Sequence, residues 1–155
     1  MLVTVVPKLN FDRHLKEKGV TDDNIHERSD LFIISINDTR GTPEVPYFKY
    51  QHQNVLTIFF DDVEQDIEDK GEYGKIEAFS YGQARQILHF VQANAHRKKC
   101  LVHCAAGISR SGAVGTFIND YFGADYNEFK KRNPYIYPNG HVLAMLNRVA
   151  RIEEG

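Results

Sequence analysis

Two absences restrict what this protein can be before any motif is considered. The formal net charge is only -2 at pH 7, so the chain lacks the basic field that draws proteins to nucleic acid or anionic membranes. No apolar stretch approaches the length that spans a bilayer, so neither a nucleic-acid nor a membrane partner is expected. With 42% hydrophobic residues, the 155-residue chain is long enough to bury one core, which predicts a single domain over residues 1–155.

Cysteine is also scarce, since Cys100 and Cys104 are the only two. They lie four residues apart on a predicted strand, about 13 Å in extended backbone, which is too far for a disulfide. Thiols that stay unpaired fit a reducing cytoplasm better than an oxidising exterior. The apolar run Leu2–Val6 stops at Pro7 and has no basic residue before it, so we expect no signal peptide and a cytoplasmic location.

Apolar runs and helix-like stretches alternate along the chain. Continuously apolar or β-branched runs predict strands at residues 2–6, 31–36, 54–60 and 99–103. Apolar residues at helical spacing predict helices over 80–96, 111–121 and 126–132 and after Asn139, with only one short helix between residues 8 and 28. This alternation predicts an α/β fold, in which helices flank both faces of a central, mainly parallel sheet of four to five strands.

The segment His103–Gly112 joins the fourth predicted strand to the helix that follows it. Cys104 and Arg110 bracket five small or apolar residues, and a loop at a helix N-terminus gathers unpaired backbone N–H groups and the positive end of the helix dipole. Such a position suits a bound phosphate dianion and a cysteine thiolate. Gly107 and Gly112 are expected to allow a tight turn, and the Arg110 guanidinium can bind two phosphate oxygens at once.

The order His-Cys, five residues, Arg-Ser resembles the signature of the cysteine-dependent protein tyrosine phosphatases, in particular their dual-specificity-like branch. The resemblance implies that Cys104 attacks phosphorus and that Ser111 assists the thiolate when it leaves. It also implies that His103 is a structural hydrogen-bonding partner. The transferring group would be held by the Arg110 side chain and by the backbone amides of Ala105, Ala106, Gly107, Ile108, Ser109 and Arg110.

Hydrolysis of a phosphate ester also needs an acid that protonates the leaving oxygen. The third predicted strand runs into an acidic stretch, residues 61–74. We expect this strand to lie beside the catalytic strand, which would place its first acids at the carboxyl edge of the sheet. The residues alone leave Asp61, Asp62 and Asp66 open. The family resemblance selects Asp62, because small members carry an aspartate at the exit of such a strand.

Asn139 precedes the last predicted helix, and we expect it to cap that helix. The resemblance adds a second role, since the dual-specificity branch has a similar Pro-Asn packed near the phosphate loop, and Asn139 would support the site. His89 and His96 have no acidic or cysteine neighbours at metal-ligand spacing, so no metal is expected. The chemistry that the resemblance implies needs no cofactor.

The resemblance implies a protein phosphatase that hydrolyses phosphotyrosine through a phosphocysteine intermediate, with a phosphorylated protein or peptide as partner. Activity on phosphoserine and phosphothreonine stays open. So do two other functions: a phosphatase of phosphoinositides or RNA 5′-phosphates, and a phosphate-binding pseudophosphatase. Uncharged loop side chains weigh against phosphoinositides, and the presence of cysteine, arginine and an acid weighs against a pseudophosphatase. Nothing in the sequence predicts an oligomeric state.

Overall fold

The structure is a computed structural model that describes residues 1–39, 45–64 and 76–154. Its strands are β1 (Leu2–Pro7), β2 (Leu31–Asn37), β3 (Val55–Phe59) and β4 (Lys99–Cys104). Its helices are α1 (Lys8–Glu17), α2 (Tyr81–Ala93), α3 (Arg110–Tyr121), α4 (Tyr126–Arg132) and α5 (Gly140–Glu154), with a short 3-10 turn at Ile25–Glu27. All four predicted strands are present, whereas the helix predicted to reach residue 96 ends at Ala93.

The four strands form a parallel sheet in the order β1-β4-β2-β3. The predicted α/β class is therefore confirmed, with four strands in the described part of the chain. One expectation is wrong: β3 does not lie beside the catalytic strand β4, because β2 pairs with both strands and separates them. The successive strands β2 and β3 pair directly, while the later β4 is inserted between β1 and β2.

Helices cover both faces of the sheet, and β2 shows why its sequence is continuously apolar. Ile33 faces one side, where it packs with Phe11 and Leu15 of α1 in one apolar cluster. The other side of β2 faces the larger cluster built with α2, α3, α4 and α5, to which it contributes Phe32, Ile34 and Ile36. A strand that is buried on both faces needs apolar residues at every position, not at alternate ones.

Close packing of α3 on β1 places the start of α3 at the carboxyl edge of the sheet. Gly115 permits this approach, because a Cβ atom there would lie 2.6 Å from Cγ2 of Val5. Strands β1 and β4 end side by side, with Pro7 opposite Cys104. The loop after Cys104 therefore lies where the carboxyl ends of the parallel strands meet, which is the usual ligand position in open α/β sheets.

The helix ends follow the local sequence signals. Ser80 and Gln83 form a reciprocal capping box at the start of α2, and the Asp125 side chain accepts a hydrogen bond from the Glu128 N–H at the start of α4. Gly123, just after α3, has a φ of +65° and ends that helix. Within the described ranges, no helix is long and apolar enough to cross a membrane.

Candidate active site

The loop 105–109 connects the end of β4 to α3. The Ala105 carbonyl accepts a hydrogen bond of 3.2 Å from the Lys8 N–H, which ties the loop to the start of α1. Near its other end, the Ile108 carbonyl accepts a hydrogen bond of 2.9 Å from the Tyr137 N–H. These contacts fix the loop between two neighbouring segments at the N-terminus of α3, where the first backbone N–H groups have no partner within the helix.

The two glycines of the segment His103–Gly112 have different roles. Gly107 has a φ of +70°, and a Cβ atom there would lie 2.4 Å from the Pro7 nitrogen and 2.5 Å from the Val6 carbonyl carbon. Gly112 is an ordinary residue of α3 without a positive φ, so the expectation that it shapes the turn is wrong. Its missing side chain instead leaves space for Ile136, whose Cβ would lie 3.1 Å from a Cβ at position 112.

Cys104 is the last residue of β4 and only 2% of its surface is exposed. Its Sγ lies 3.0 Å from Oγ of Ser111, a fully buried residue in the first turn of α3. The Ser111 hydroxyl is thus in position to hydrogen-bond a sulfur anion. Cys100 lies at the other end of β4, where burial raises the pKa of its thiol well above the ordinary value. Both cysteines are free, which confirms that they do not form a disulfide.

His103 is fully buried beneath the loop and is held on both ring nitrogens. Its Nδ1 lies 3.3 Å from the Cys104 carbonyl oxygen, and its Nε2 lies 2.6 Å from Oγ of Ser35 on β2. Because the carbonyl can only accept, Nδ1 carries the proton and Nε2 accepts from the Ser35 hydroxyl. The pKa of His103 is lowered to about 4, and burial is the main cause. The bond to the Cys104 carbonyl acts in the opposite direction, while the positive charges of Lys8 and Arg110 add to the lowering. The ring is therefore neutral at pH 7.

Arg110 begins α3 and its side chain is 5% exposed. Its Nη1 donates to the Phe60 carbonyl at 2.8 Å and lies 2.6 Å from Oδ1 of Asp38. Its Nε is buried and has no hydrogen-bond partner in the described parts of the chain. A buried N–H of this kind is costly unless an acceptor reaches it. Since Nε and Nη2 form one edge of the guanidinium, that edge is suited to two oxygens of a bound oxyanion.

The structure separates the two adjacent acids by their contacts. The buried Asp61 carboxylate is occupied by the chain itself, since it accepts hydrogen bonds from the Thr39 N–H at 3.0 Å, from the Thr39 hydroxyl and from the Glu77 N–H at 2.9 Å. Asp62 is exposed, and its Oδ1 accepts a hydrogen bond of 2.8 Å from Oγ of Ser109 in the loop. Asp61 thus holds strand ends together, whereas Asp62 reaches the loop.

Asn139 is fully buried and connects three parts of the site. Its Oδ1 accepts a hydrogen bond of 3.0 Å from the Val142 N–H, which makes it the predicted cap of α5. Its backbone N–H donates to the Ser109 carbonyl at 3.0 Å. Its Nδ2 donates to Oδ1 of Asp62 at 2.8 Å and to the Val63 carbonyl at 3.0 Å. The loop, the acid and the last helix are therefore joined through one side chain.

The sequence-predicted residues His103, Cys104, Arg110, Ser111 and Asn139 thus meet at one loop, together with Asp62. Asp66, the third acid considered, lies outside the described residues. Two residues of this neighbourhood were not predicted, Ser35 and Asp38. Ser35 interrupts the otherwise apolar run Leu31–Ile36, and Asp38 follows β2 as Asp62 follows β3, so both carried a signal. The described residues contain no group of three His, Cys, Asp or Glu that could hold a metal ion.

Comparison with known proteins identifies the fold. Neither a family model nor a curated protein matches the sequence. Among solved structures, the human tyrosine phosphatase-like serine/threonine/tyrosine-interacting protein matches with a TM-score of 0.52 and 21% identity, over 97% of this chain and 88% of that protein. The chain has the protein tyrosine phosphatase-like fold. A second phosphatase-like structure, Tk-PTP in the active form, matches with a TM-score of 0.50 and 19% identity, over 96% of this chain and 90% of that one.

Proposed function

We propose that this protein is a cysteine-dependent phosphatase, a single domain over residues 1–155, that hydrolyses phosphotyrosine in proteins or peptides without a metal or cofactor. The observation that carries the proposal is the meeting of three groups at one loop. Cys104 stands at its start, Arg110 at its end, and Asp62 is hydrogen-bonded to Ser109 within it. A nucleophile, a planar cation and an acid around one set of helix N-terminal amides are what phosphoryl transfer through cysteine requires.

In the first step, Cys104 Sγ attacks phosphorus in line, so that an S–P bond forms while the P–O ester bond breaks. Asp62 gives its proton to the departing oxygen, and the phenol leaves as a neutral molecule. Arg110 and the loop amides balance the negative charge on the three equatorial oxygens. In the second step, water attacks phosphorus and gives a proton to the Asp62 carboxylate. The S–P bond then breaks, inorganic phosphate leaves, and the Ser111 hydroxyl stabilises the departing Cys104 thiolate.

The surroundings of the loop favour a phosphorylated protein over a phosphoinositide or an RNA 5′-phosphate. Residues 105–109 contribute no charged side chain, so additional phosphates would meet no cation there. Ile108 is 40% exposed and Tyr137, whose backbone is bonded to it, is 78% exposed. Such apolar and aromatic surfaces suit a phenyl ring or the apolar side chains of a peptide. The nearby carboxylate of Glu64 would repel further phosphate groups.

A phosphate-binding protein without turnover is the second candidate, because one structure with this fold is described as tyrosine phosphatase-like. Binding alone would need the loop amides and Arg110. It would need neither a thiol at position 104 nor an acid bonded to the loop. The retention of Cys104, Asp62 and the Ser111 hydroxyl 3.0 Å from the sulfur favours the enzyme.

Hydrolysis of p-nitrophenyl phosphate and of a panel of phosphotyrosine, phosphoserine and phosphothreonine peptides tests the proposal. We expect turnover of the aryl phosphate that persists in EDTA and is abolished in Cys104→Ser, because a hydroxyl is not appreciably ionised where the thiol was. Cys104→Ser should still bind tungstate, which shows that the loop is intact. Wild-type protein that binds tungstate but hydrolyses none of these substrates would identify the pseudophosphatase. Preference for a phosphoinositide over every peptide would overturn the protein-substrate assignment.

A further inference from the structure

Arg110 forms an ion pair with an acidic residue outside the segment between Cys104 and Arg110. Asp38 directly follows β2, and its Oδ1 lies 2.6 Å from Nη1 of Arg110, while 34% of its side chain remains exposed. The same Nη1 donates to the carbonyl of Phe60, directly after β3. Two acceptors from two neighbouring strands therefore hold one nitrogen of the guanidinium.

These two acceptors are themselves fixed relative to each other. The Phe60 N–H donates a hydrogen bond of 3.2 Å to the carbonyl of Asn37, the residue directly before Asp38, where β2 and β3 end. Because a guanidinium is planar, acceptors that bind Nη1 from two directions restrict rotation of the whole group. The opposite edge, formed by Nε and Nη2, is the one that includes the buried Nε without a partner in the described chain.

We propose that Asp38 is a positioning residue, which holds Arg110 so that its Nε and Nη2 edge faces the oxyanion in the loop. The inference rests on the proposed function and extends it to a residue outside the Cys-to-Arg segment. Asp38 contacts neither the substrate nor the reacting atoms in this assignment; it acts through Arg110. Asp38 thereby orients Arg110 before the phosphate binds, so the Arg110 side chain loses little conformational entropy when it does.

A carboxylate near a phosphate site also has the opposite effect, because it repels the incoming dianion. A partly exposed carboxylate repels a phosphate that it does not touch only weakly, since water and salt screen the two charges. Its direct, short hydrogen bond to the buried guanidinium of Arg110 is screened less. The positioning effect should therefore exceed the repulsion, and removal of Asp38 should weaken oxyanion binding.

The test compares Asp38→Ala, which removes the acceptor and the charge, with Asp38→Asn, which removes the charge but keeps an acceptor oxygen of the same reach. Glu153→Ala is the matched control, because Glu153 forms an ion pair of 2.7 Å with Arg85 at a distance from the loop. For each protein, calorimetry gives the dissociation constant of tungstate, and kinetics with p-nitrophenyl phosphate give kcat and KM. The melting temperature reports on folding.

We expect Asp38→Ala to weaken tungstate binding and to lower kcat/KM by about tenfold or more, because an oriented charged donor is lost. Asp38→Asn should stay within about threefold of wild type, since its amide oxygen restores the acceptor. Glu153→Ala should change neither quantity. If Asp38→Ala does not fold, Asp38→Ser, whose shorter side chain cannot reach Nη1, carries the same expectation.

Two results with the Asp38 variants would overturn the inference. In one, Asp38→Ala or Asp38→Ser binds tungstate as tightly as wild type or more tightly. In the other, Asp38→Asn loses as much affinity as Asp38→Ala, which would mean that charge and not orientation is what matters. A wild-type protein that neither binds tungstate nor hydrolyses the ester would overturn the proposed function together with this extension. A wild-type protein that does both, with an unaffected Asp38→Ala, would overturn the extension alone.

Discussion

Nδ2 of Asn139 donates a hydrogen bond of 2.8 Å to Oδ1 of Asp62, so the cap of α5 also holds the proposed acid. The same Oδ1 accepts from Oγ of Ser109, whose carbonyl in turn accepts from the Asn139 N–H. Within the described residues, Oδ2 of Asp62 has no hydrogen bond from the protein. One carboxylate oxygen is thus held against the loop, and the other is available to carry the proton that the leaving group receives.

Substitution of Asn139 should separate its two roles. Asn139→Ala loses the cap and the bond to Asp62, and we expect a loss of about 1 to 2 kcal/mol in the free energy of unfolding together with lower kcat. Asn139→Ser keeps a hydroxyl acceptor for the Val142 N–H but loses the Nδ2 donor that reaches Asp62. Its stability should therefore lie closer to wild type, while its kcat should fall about as far as that of Asn139→Ala.

Urea unfolding and steady-state kinetics on these two variants and on wild type provide the measurement. Equal stability of Asn139→Ala and Asn139→Ser would contradict the capping role. Wild-type kcat in Asn139→Ser would mean that the contact with Asp62 has no bearing on catalysis.

The choice between the adjacent acids predicts a difference in leaving-group dependence. Asp62→Asn should lower kcat by about 100-fold or more for phenols with a high pKa and much less for activated esters, because a good leaving group needs little protonation. Kinetics over a series of substituted aryl phosphates would measure this dependence.

Asp61→Asn is the matched control for that series. Its side chain would present an amide N–H where Asp61 now accepts hydrogen bonds from Thr39 and Glu77, so the variant should lose thermal stability. Its leaving-group dependence should remain that of wild type. If the dependence disappears in Asp61→Asn and persists in Asp62→Asn, the assignment of the acid is wrong.

The strands and the loop were predictable because their signals are local. Leu31–Ile36 is apolar at all but one position, and a cysteine and an arginine at fixed spacing between a strand and a helix define the loop without reference to distant residues. The strand order was not predictable in this way. It depends on how the connections cross the sheet, and the sequence around β3 contains nothing that places β2 between it and β4.

That strand order explains which site residues were missed. Because β2 is next to β4, Ser35 lies opposite His103 in the register, and the end of β2 brings Asp38 to Arg110. Both contacts link residues about 70 positions apart in the chain, so no spacing rule reveals them. The acids after β3 were placed at the edge of the loop despite the wrong neighbour, because every parallel strand ends at the same edge of the sheet. The choice of Asp62 among them came from the family resemblance.

Gly107 should tolerate no side chain. In Gly107→Ala the Cβ would fall 2.4 Å from the backbone nitrogen of Pro7, and the residue would also keep an unfavourable positive φ. We therefore expect a loss of more than about 2 kcal/mol in the free energy of unfolding, together with severe loss of activity. Gly123→Ala is the control, because Gly123 has a similar φ of +65° but nothing within 4 Å of its Cβ position. That variant should lose only about 1 to 2 kcal/mol and keep its activity. Urea unfolding with an activity assay would show the difference, and equal losses in both variants would mean that the contact with Pro7 is unimportant.

Neutral His103 makes the fold sensitive to acid in a definite pH range. Its pKa is about 4 in the folded protein, whereas the ordinary value of 6.5 applies to the unfolded chain. Between these two pH values the unfolded chain binds more protons than the folded protein, so the free energy of unfolding rises with pH. The contribution of neutral His103 to the free energy of unfolding is complete above pH 6.5 and is lost as the pH falls towards 4, by roughly 3 kcal/mol in all.

In His103→Gln, whose amide cannot titrate, the decline in the free energy of unfolding between about pH 7 and pH 4.5 should be smaller by about 2 to 3 kcal/mol. His96→Gln, at an exposed position, should keep the wild-type decline. Urea unfolding at both pH values measures the effect, and a full wild-type decline in His103→Gln would show that other groups cause the acid sensitivity.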